Sequence, residues 1–359
     1  MLFDIKNEHT NLLFPARISF EKKWDDSFRS LVYRLRQKGL NIRALFVHTA
    51  SQETVVMDGA SSIPGLEYHL QNYRSCDEQS LLELDISCAK NSVNVLVAFG
   101  GGSVIDLCKL VARRRALHLV VVPTALSSDC IASPISVLAT EKQARISVPA
   151  AMPNEIIIDV ELLTSAPARL IKSGIGDLLS NASALIELKE KRGLGLDVND
   201  FAILISEFSI GQFLADFSSL AEDPRSLTLE LAKGLVLSGM AMGFSGDSSP
   251  CSGSEHLISH AIDLFPSEQL LHGEQVGLAV VFVNQLRAYL GMTEIPEGVI
   301  RTLKDFCGFR NPEHFDISKN SFLRAVMGAA SVRQGRLPFW SNSGLDRSDF
   351  ELVFERAFH

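Results

Sequence analysis

Residues 93–99 are apolar at all but one position, and Gly100, Gly101 and Gly102 follow at once. A strand with apolar side chains on both faces of its pleat must be covered on both sides, as in a parallel sheet sandwiched by helices. The glycines allow a tight exit and a close approach of the backbone to whatever lies beyond the strand. Residues 103–114 then read as a helix, and residues 117–122 as a second buried strand, closed by Pro123. Further strands are expected at 12–20, 44–48 and 156–160, with helices at 24–38, ended by Gly39, and at 78–91. This alternation predicts an α/β fold with a parallel sheet.

From about residue 166 the pattern changes. Helices are expected at 169–191, 200–221, 227–244, 254–265, 273–290, 297–306, 321–330 and 347–358, and strand-like runs are scarce. We therefore expect a division near 162–166: residues 1–163 as an α/β domain, residues 164–359 as an all-helical domain. The 359 residues suit two domains and bury enough surface to need no disulfides. The six cysteines form no Cys-x-x-Cys pair, which suits reduced thiols in a cytoplasmic protein. A net charge of −8 argues against a nucleic-acid partner. The one basic cluster, Arg113 to Arg115, suits the negative end of a helix dipole. No run approaches the ~18 apolar residues of a membrane span, and residues 1–10, with Asp4, Lys6 and Glu8, do not read as a secretory signal.

Three regions carry chemistry. At the glycine turn, the N–H groups and dipole of the following helix can receive a pyrophosphate on Gly101 and Gly102, with Ser103 as helix cap or phosphate contact. A bare tight turn would use the same residues, and the pattern is not Gly-x-Gly-x-x-Gly. The loop 123–134 follows a strand end, where ligands of open α/β sheets bind. Its Thr124 and Ser127 can hydrogen-bond a phosphate or a nicotinamide amide, and Asp129 can orient a substrate hydroxyl. The same side chains could instead cap their own turn. In the helical half, His256 and His260 stand four apart on one helix face, His272 opens another helix, and Asp177 offers a carboxylate from a third. Two imidazoles and a carboxylate with an open position make a catalytic zinc arrangement. Spacing alone leaves His256 and His260 as equal candidates for the ligand.

Taken together, Gly100 to Asp106, Ile131 to Pro134, Gly176-Asp177, Ser252 to His256 and His272 to Val276 resemble the sn-glycerol-1-phosphate dehydrogenases. That family lies within the group of dehydroquinate synthases and iron-containing alcohol dehydrogenases. The resemblance implies a two-domain fold with its active site in the cleft between the domains. It implies NAD or NADP held by Gly101, Gly102, Ser103, Asp106, Thr124 and Ser127. It implies zinc, or another divalent metal, on Asp177, His256 and His272, with His260 and Asp129 serving the substrate. The implied reaction interconverts a keto-phosphate and a polyol phosphate, in a homo-oligomer.

Two departures bear on the substrate. Ser128 and Ser249 stand where the family has His and Arg, and a lost arginine removes a bidentate phosphate partner from the cleft. After the strand at 44–48, Thr49 to Gln52 lack the acidic residue that selects an unphosphorylated ribose, so NAD and NADP are not separated. A dehydrogenase of a non-phosphorylated polyol, a sugar-phosphate cyclase with tightly bound NAD, and a non-enzymatic binding protein are the alternatives. The cyclase reading is weakened by Asp177 in place of a glutamate and by the lack of a Gly-Gly-Lys-Thr-type segment near 142–149.

Overall fold

The computed structural model describes residues 14–21, 23–140, 145–265 and 270–359. The chain begins β1 (Arg17–Glu21), α1 (Trp24–Gln37), β2 (Arg43–His48), α2 (Glu53–Ser61), β3 (Glu67–Asn72) and α3 (Glu78–Lys90). It continues through β4 (Val95–Gly100), α4 (Gly102–Arg115), β5 (His118–Pro123), the antiparallel hairpin β6 (Ile135–Ala139) and β7 (Arg145–Pro149), and β8 (Glu155–Asp159). The six strands outside the hairpin form one parallel sheet in the order β1-β8-β5-β4-β2-β3.

The apolar runs of the central strands serve two cores, one on each face. On β4, Leu96 and Ala98 join the core shared with α3, α4 and the helical half, while Val95, Val97 and Phe99 face the other way. There they meet Trp24 and Phe28 of α1; the Trp24 and Phe99 rings pack edge-on at 5.0 Å. β2 and β5 alternate likewise. From β2 the chain runs outward to β3, then returns to lay β4 on the other side of β2. Connections thus diverge between β2 and β4, which places a ligand crevice at the carboxyl ends of these strands.

The remainder is helical: α5 (Val160–Thr164), α6 (Ala168–Gly193), α7 (Asp200–Ala215), α8 (Phe217–Leu220), α9 (Pro224–Ser245), α10 (Ser254–Ile262), α11 (His272–Tyr289), α12 (Glu297–Arg301), α13 (Lys319–Gly328) and α14 (Arg347–Phe358). Helix α9 is long and apolar enough to cross a membrane by length and composition, but 61% of its most apolar window is buried, packed on α6 and α7.

Several expectations need correction. The expected strand at 12–20 starts at Arg17; residues 12 and 13 lie outside the described set, as does the segment 1–10. The expected helix at 200–221 is interrupted at Asp216, whose backbone leaves the helical region. Helix α2, the edge strand β3 and the β6–β7 hairpin were not expected. All six cysteines are unpaired, five of them buried and Cys130 partly so.

Candidate active site

The glycine turn sits where β4 ends. Gly101 is the cap residue of α4 and offers no side-chain cap. The Val104 and Ile105 N–H groups donate to the Gly101 carbonyl, at 3.1 Å each. Those of Gly102 and Ser103 have no acceptor among the described residues. A Cβ on Gly101 would have no heavy atom closer than 3.9 Å, and one on Gly102 none closer than 3.5 Å. Internal packing therefore does not require glycine at either position, and the space beside them suits a pyrophosphate. Ser103 lies within the first turn of α4, so it is not the cap.

Asp106 stands one turn further along. Its carboxylate pairs with buried Lys109 at 3.0 Å and accepts from the Val137 N–H at 3.0 Å, so this side chain ties α4 to the hairpin. The Thr124 N–H donates to the Gly100 carbonyl at 3.0 Å and closes the ends of β4 and β5. The Ser127 carbonyl accepts from Ser173 of α6 at 3.0 Å, which holds the loop against the helical half.

Two helices bring the second cluster together by near contact of their backbones. A Cβ on Gly176 would fall 2.1 Å from the Gly273 carbonyl oxygen, and one on Gly273 would fall 1.8 Å from that of Ser173. Only glycine lets α6 and α11 approach this closely, and the approach sets Asp177 beside His272. Asp177 Oδ1 lies 3.4 Å from His272 Nε2 and 4.0 Å from His256 Nε2. The three side chains each offer a ligand atom within 4.8 Å of the others. Asp177 Oδ2 accepts from the Asp129 backbone N–H at 2.8 Å, which anchors loop 123–134 to the cluster.

Each imidazole is aimed from behind. His256 Nδ1 lies 2.9 Å from Glu255 Oε1, which also accepts from the Gly253 N–H at 2.6 Å. A Cβ on Gly253 would fall 2.8 Å from a Glu255 carboxylate oxygen and 2.9 Å from one of Glu187, so a larger residue here would push on the carboxylate that aims His256. His272 Nδ1 meets Ser259 Oγ at 3.3 Å, Ser259 donates to Gln275 at 2.6 Å, and Gln275 donates to Asp263 at 3.1 Å. Such outer partners fix ring orientation and leave Nε2 for a metal.

The electrostatics follow from burial. Burial pushes Asp177 up, but its hydrogen bond to His272 and the charges of the two imidazoles outweigh it and hold the carboxyl below its ordinary value. Burial, then the Asp177 charge, pushes Asp129 up to about 7, against the 2.8 Å hydrogen bond that it accepts from Ser238. Burial, then neighbouring His272, drives His256 down to about 3; burial, then His256, does the same to His260. Burial pushes His272 down, but its hydrogen bond to Asp177 and the charge of that carboxylate outweigh burial and raise it above its ordinary value. An ionised carboxylate with two imidazoles, His272 giving up its proton on binding, forms a donor set that suits a divalent ion.

One cavity of about 400 Å³ joins the two clusters, lined by Gly102, Ser103, Asp106, Ser127 and Asp129 on one side and by His256, His260 and His272 on the other. Gly101 and Thr124 lie outside its lining. Ser128 lines it, whereas Ser249 does not: its hydroxyl donates to Asp247 at 2.6 Å, away from the cleft. Ser249 itself thus stands outside the cavity lining, although neighbouring Ser248 belongs to it. Sequence reasoning missed Ser238, the Ser259–Gln275–Asp263 chain, and Arg145 and Arg333 of the cleft lining. Ser238, Asp263, Arg145 and Arg333 reach the site through tertiary packing from segments with no motif of their own, whereas Ser259 and Gln275 stand beside the histidines already singled out.

Comparison with known proteins adds to the geometry. The family model for iron-containing alcohol dehydrogenase matches residues 25–167. The glycerol-1-phosphate dehydrogenase [NAD(P)+] of Hyperthermus butylicus is 37% identical over 255 residues, 71% of either chain. The chain belongs to the glycerol-1-phosphate dehydrogenase family. A family member from Archaeoglobus fulgidus is 28% identical over 325 residues, 90% of this chain and 92% of its own. Among solved structures, glycerol dehydrogenase from Schizosaccharomyces pombe gives a TM-score of 0.72 at 19% identity, over 96% of this chain and 89% of its own. Maleylacetate reductase from Agrobacterium tumefaciens gives 0.73 at 17%, over 96% and 97%. These likenesses establish the fold that the family shares with iron-containing alcohol dehydrogenases.

Proposed function

We propose that the protein interconverts dihydroxyacetone phosphate and glycerol 1-phosphate with NAD(H) or NADP(H), using one zinc ion on Asp177, His256 and His272. Oxidoreductase chemistry accords with the family, whose named members are NAD(P)-linked dehydrogenases; this favours hydride transfer over the cyclase alternative. In this reading residues 1–163 carry the nucleotide and residues 164–359 the ion. The observation that carries it is the convergence of the three donor atoms on one another, with both imidazoles lining the cavity that also reaches the turn at Gly102.

A bound divalent ion there would supply Lewis-acid polarisation of the substrate oxygen. The chain's own residues do the rest. The Gly101–Gly102 turn and the amino end of α4 hold the pyrophosphate, with Ser103 in contact. Thr124 and Ser127 flank the nicotinamide end, and Asp106 keeps α4 on its hairpin. Asp129, held by Ser238, orients a substrate hydroxyl, and His260 faces the substrate from α10. The unpaired thiols support a reducing compartment, the cytoplasm. Exposed Phe201, Leu204 and Phe208 on α7 support homo-oligomeric assembly.

The test follows absorbance at the reduced-nicotinamide band. Dihydroxyacetone phosphate should cause it to fall in the presence of Zn²⁺, chelation should stop the fall, and added Zn²⁺ should restore it. No absorbance change across a panel of keto-phosphates, with either nucleotide, removes the proposal.

A further inference from the structure

Arg333 and Arg336 lie between α13 and α14 and turn onto the segment that leads into α10. Arg336 is well engaged: it donates to the Ser252 carbonyl at 2.5 Å and to Ser248 Oγ at 2.9 Å. Arg333 is not. Its one hydrogen bond runs to Ser248 Oγ at 3.3 Å, and it forms no ion pair with a carboxylate among the described residues. Yet it lines the cleft together with His256, His260 and His272. The His260 ring, one helical turn from His256, likewise has no hydrogen-bond partner among the described residues and faces the same space.

The other arginines of the cleft differ. Arg145 faces the Asp263 carboxylate at 3.5 Å, and Arg74 is exposed beyond the end of β3. Arg333 is thus a partly buried guanidinium with most of its donors unused and no carboxylate at ion-pair distance among the described residues, the charge of Asp247 acting on it only from further away. Burial, then neighbouring Arg336, lowers its pKa against the opposing charge of Asp247. An isolated charge removed from water is unfavourable, and a bound anion offsets that cost. The donors on offer, a planar fork and an imidazole N–H, surround one volume and suit the several oxygens of a phosphate monoester.

We propose that Arg333 is the anchor for the substrate's phosphate group, with His260 as its neighbouring donor. This rests on the reading of the cleft as a site for a phosphorylated polyol, and it names the residue that would make the phosphate matter. It also supplies, from a different loop, the arginine that Ser249 was expected to remove.

The test is calorimetric titration of the zinc-loaded protein with glycerol 1-phosphate and with inorganic phosphate, for the parent, Arg333→Met and Arg333→Lys. Arg333→Met should keep its zinc and melting temperature yet bind both ligands about 10- to 100-fold more weakly, the range for losing hydrogen bonds to a charged group. Arg333→Lys should fall between, because the charge remains and the fork is lost. An Arg333→Met protein that binds both ligands as tightly as the parent overturns the proposal. A parent that binds phosphate through Arg333 but reduces no keto-phosphate leaves the anchor standing and removes the dehydrogenase reading. Unchanged use of dihydroxyacetone phosphate by Arg333→Met does the reverse.

Discussion

The contact between α6 and α11 makes Gly176→Ala a demanding test. The added Cβ would fall 2.1 Å from the Gly273 carbonyl oxygen and 2.9 Å from the Phe309 ring, whereas ordinary contact begins near 3.4 Å. The two helices must part by about 1.3 Å to accept it. Two terms in folding energy oppose each other. Alanine favours the helix over glycine by about 1 kcal/mol, while forcing a methyl into a filled contact costs about 1–3 kcal/mol. The net loss of stability is therefore modest, on the order of 0–2 kcal/mol, and the protein should fold. The site is far less tolerant. Metal ligands hold their distances to roughly 0.2 Å, and Asp177 and His272 ride on the two helices that separate. A displacement of this size should cost about 100-fold or more in turnover and weaken zinc binding in parallel. The assay is zinc titration with a fluorescent competitor, alongside thermal melts and steady-state rates. Gly211→Ala is the control: no atom stands within 4 Å of its Cβ, so it should stabilise α7 by up to about 1 kcal/mol and leave zinc binding unchanged. A Gly176→Ala protein that binds zinc and turns over like the parent would refute the claim that this backbone contact sets the ligand geometry.

Other expectations follow from the same geometry. Gly102→Val should raise the KM for the nicotinamide nucleotide at least about tenfold, through loss of pyrophosphate contacts, with zinc content unchanged; an unaltered KM places the nucleotide elsewhere. Glu255→Gln should weaken zinc binding about 10- to 100-fold, the usual effect of disturbing a partner behind a histidine ligand. Unchanged affinity in that variant would show that Glu255 serves only packing.

Much of this architecture was legible in the sequence, for a physical reason. β2, β4 and β5 are buried on both faces, so their apolar runs are almost uninterrupted, and the glycine exit from β4 needs no tertiary information to be seen. β3 was missed because it is an edge strand: Glu67 to Asn72 is polar and half-exposed, with a single leucine. The hairpin was missed because few of its ten residues pack on apolar clusters: Leu138 and Val148 in the main core, Ile135 against a small one. The site divides along the same line. Asp177, His256 and His272 sit in motifs whose glycines serve helix contact, and those motifs can be read. Arg333 and Ser238 sit in segments with no pattern, and only the packing of α9 and the loop before α14 brings them to the cleft. Ser249 shows the converse: a motif position that the fold turns away from the cavity.

The central claim is best tested by anomalous scattering at the zinc edge, from crystals grown with Zn²⁺ and NAD⁺. A single strong peak is predicted at roughly 2.0–2.2 Å from Asp177 Oδ1 and from Nε2 of both His256 and His272. A peak that shares none of these atoms, or imidazoles turned away from the acid with no peak between them, would contradict it.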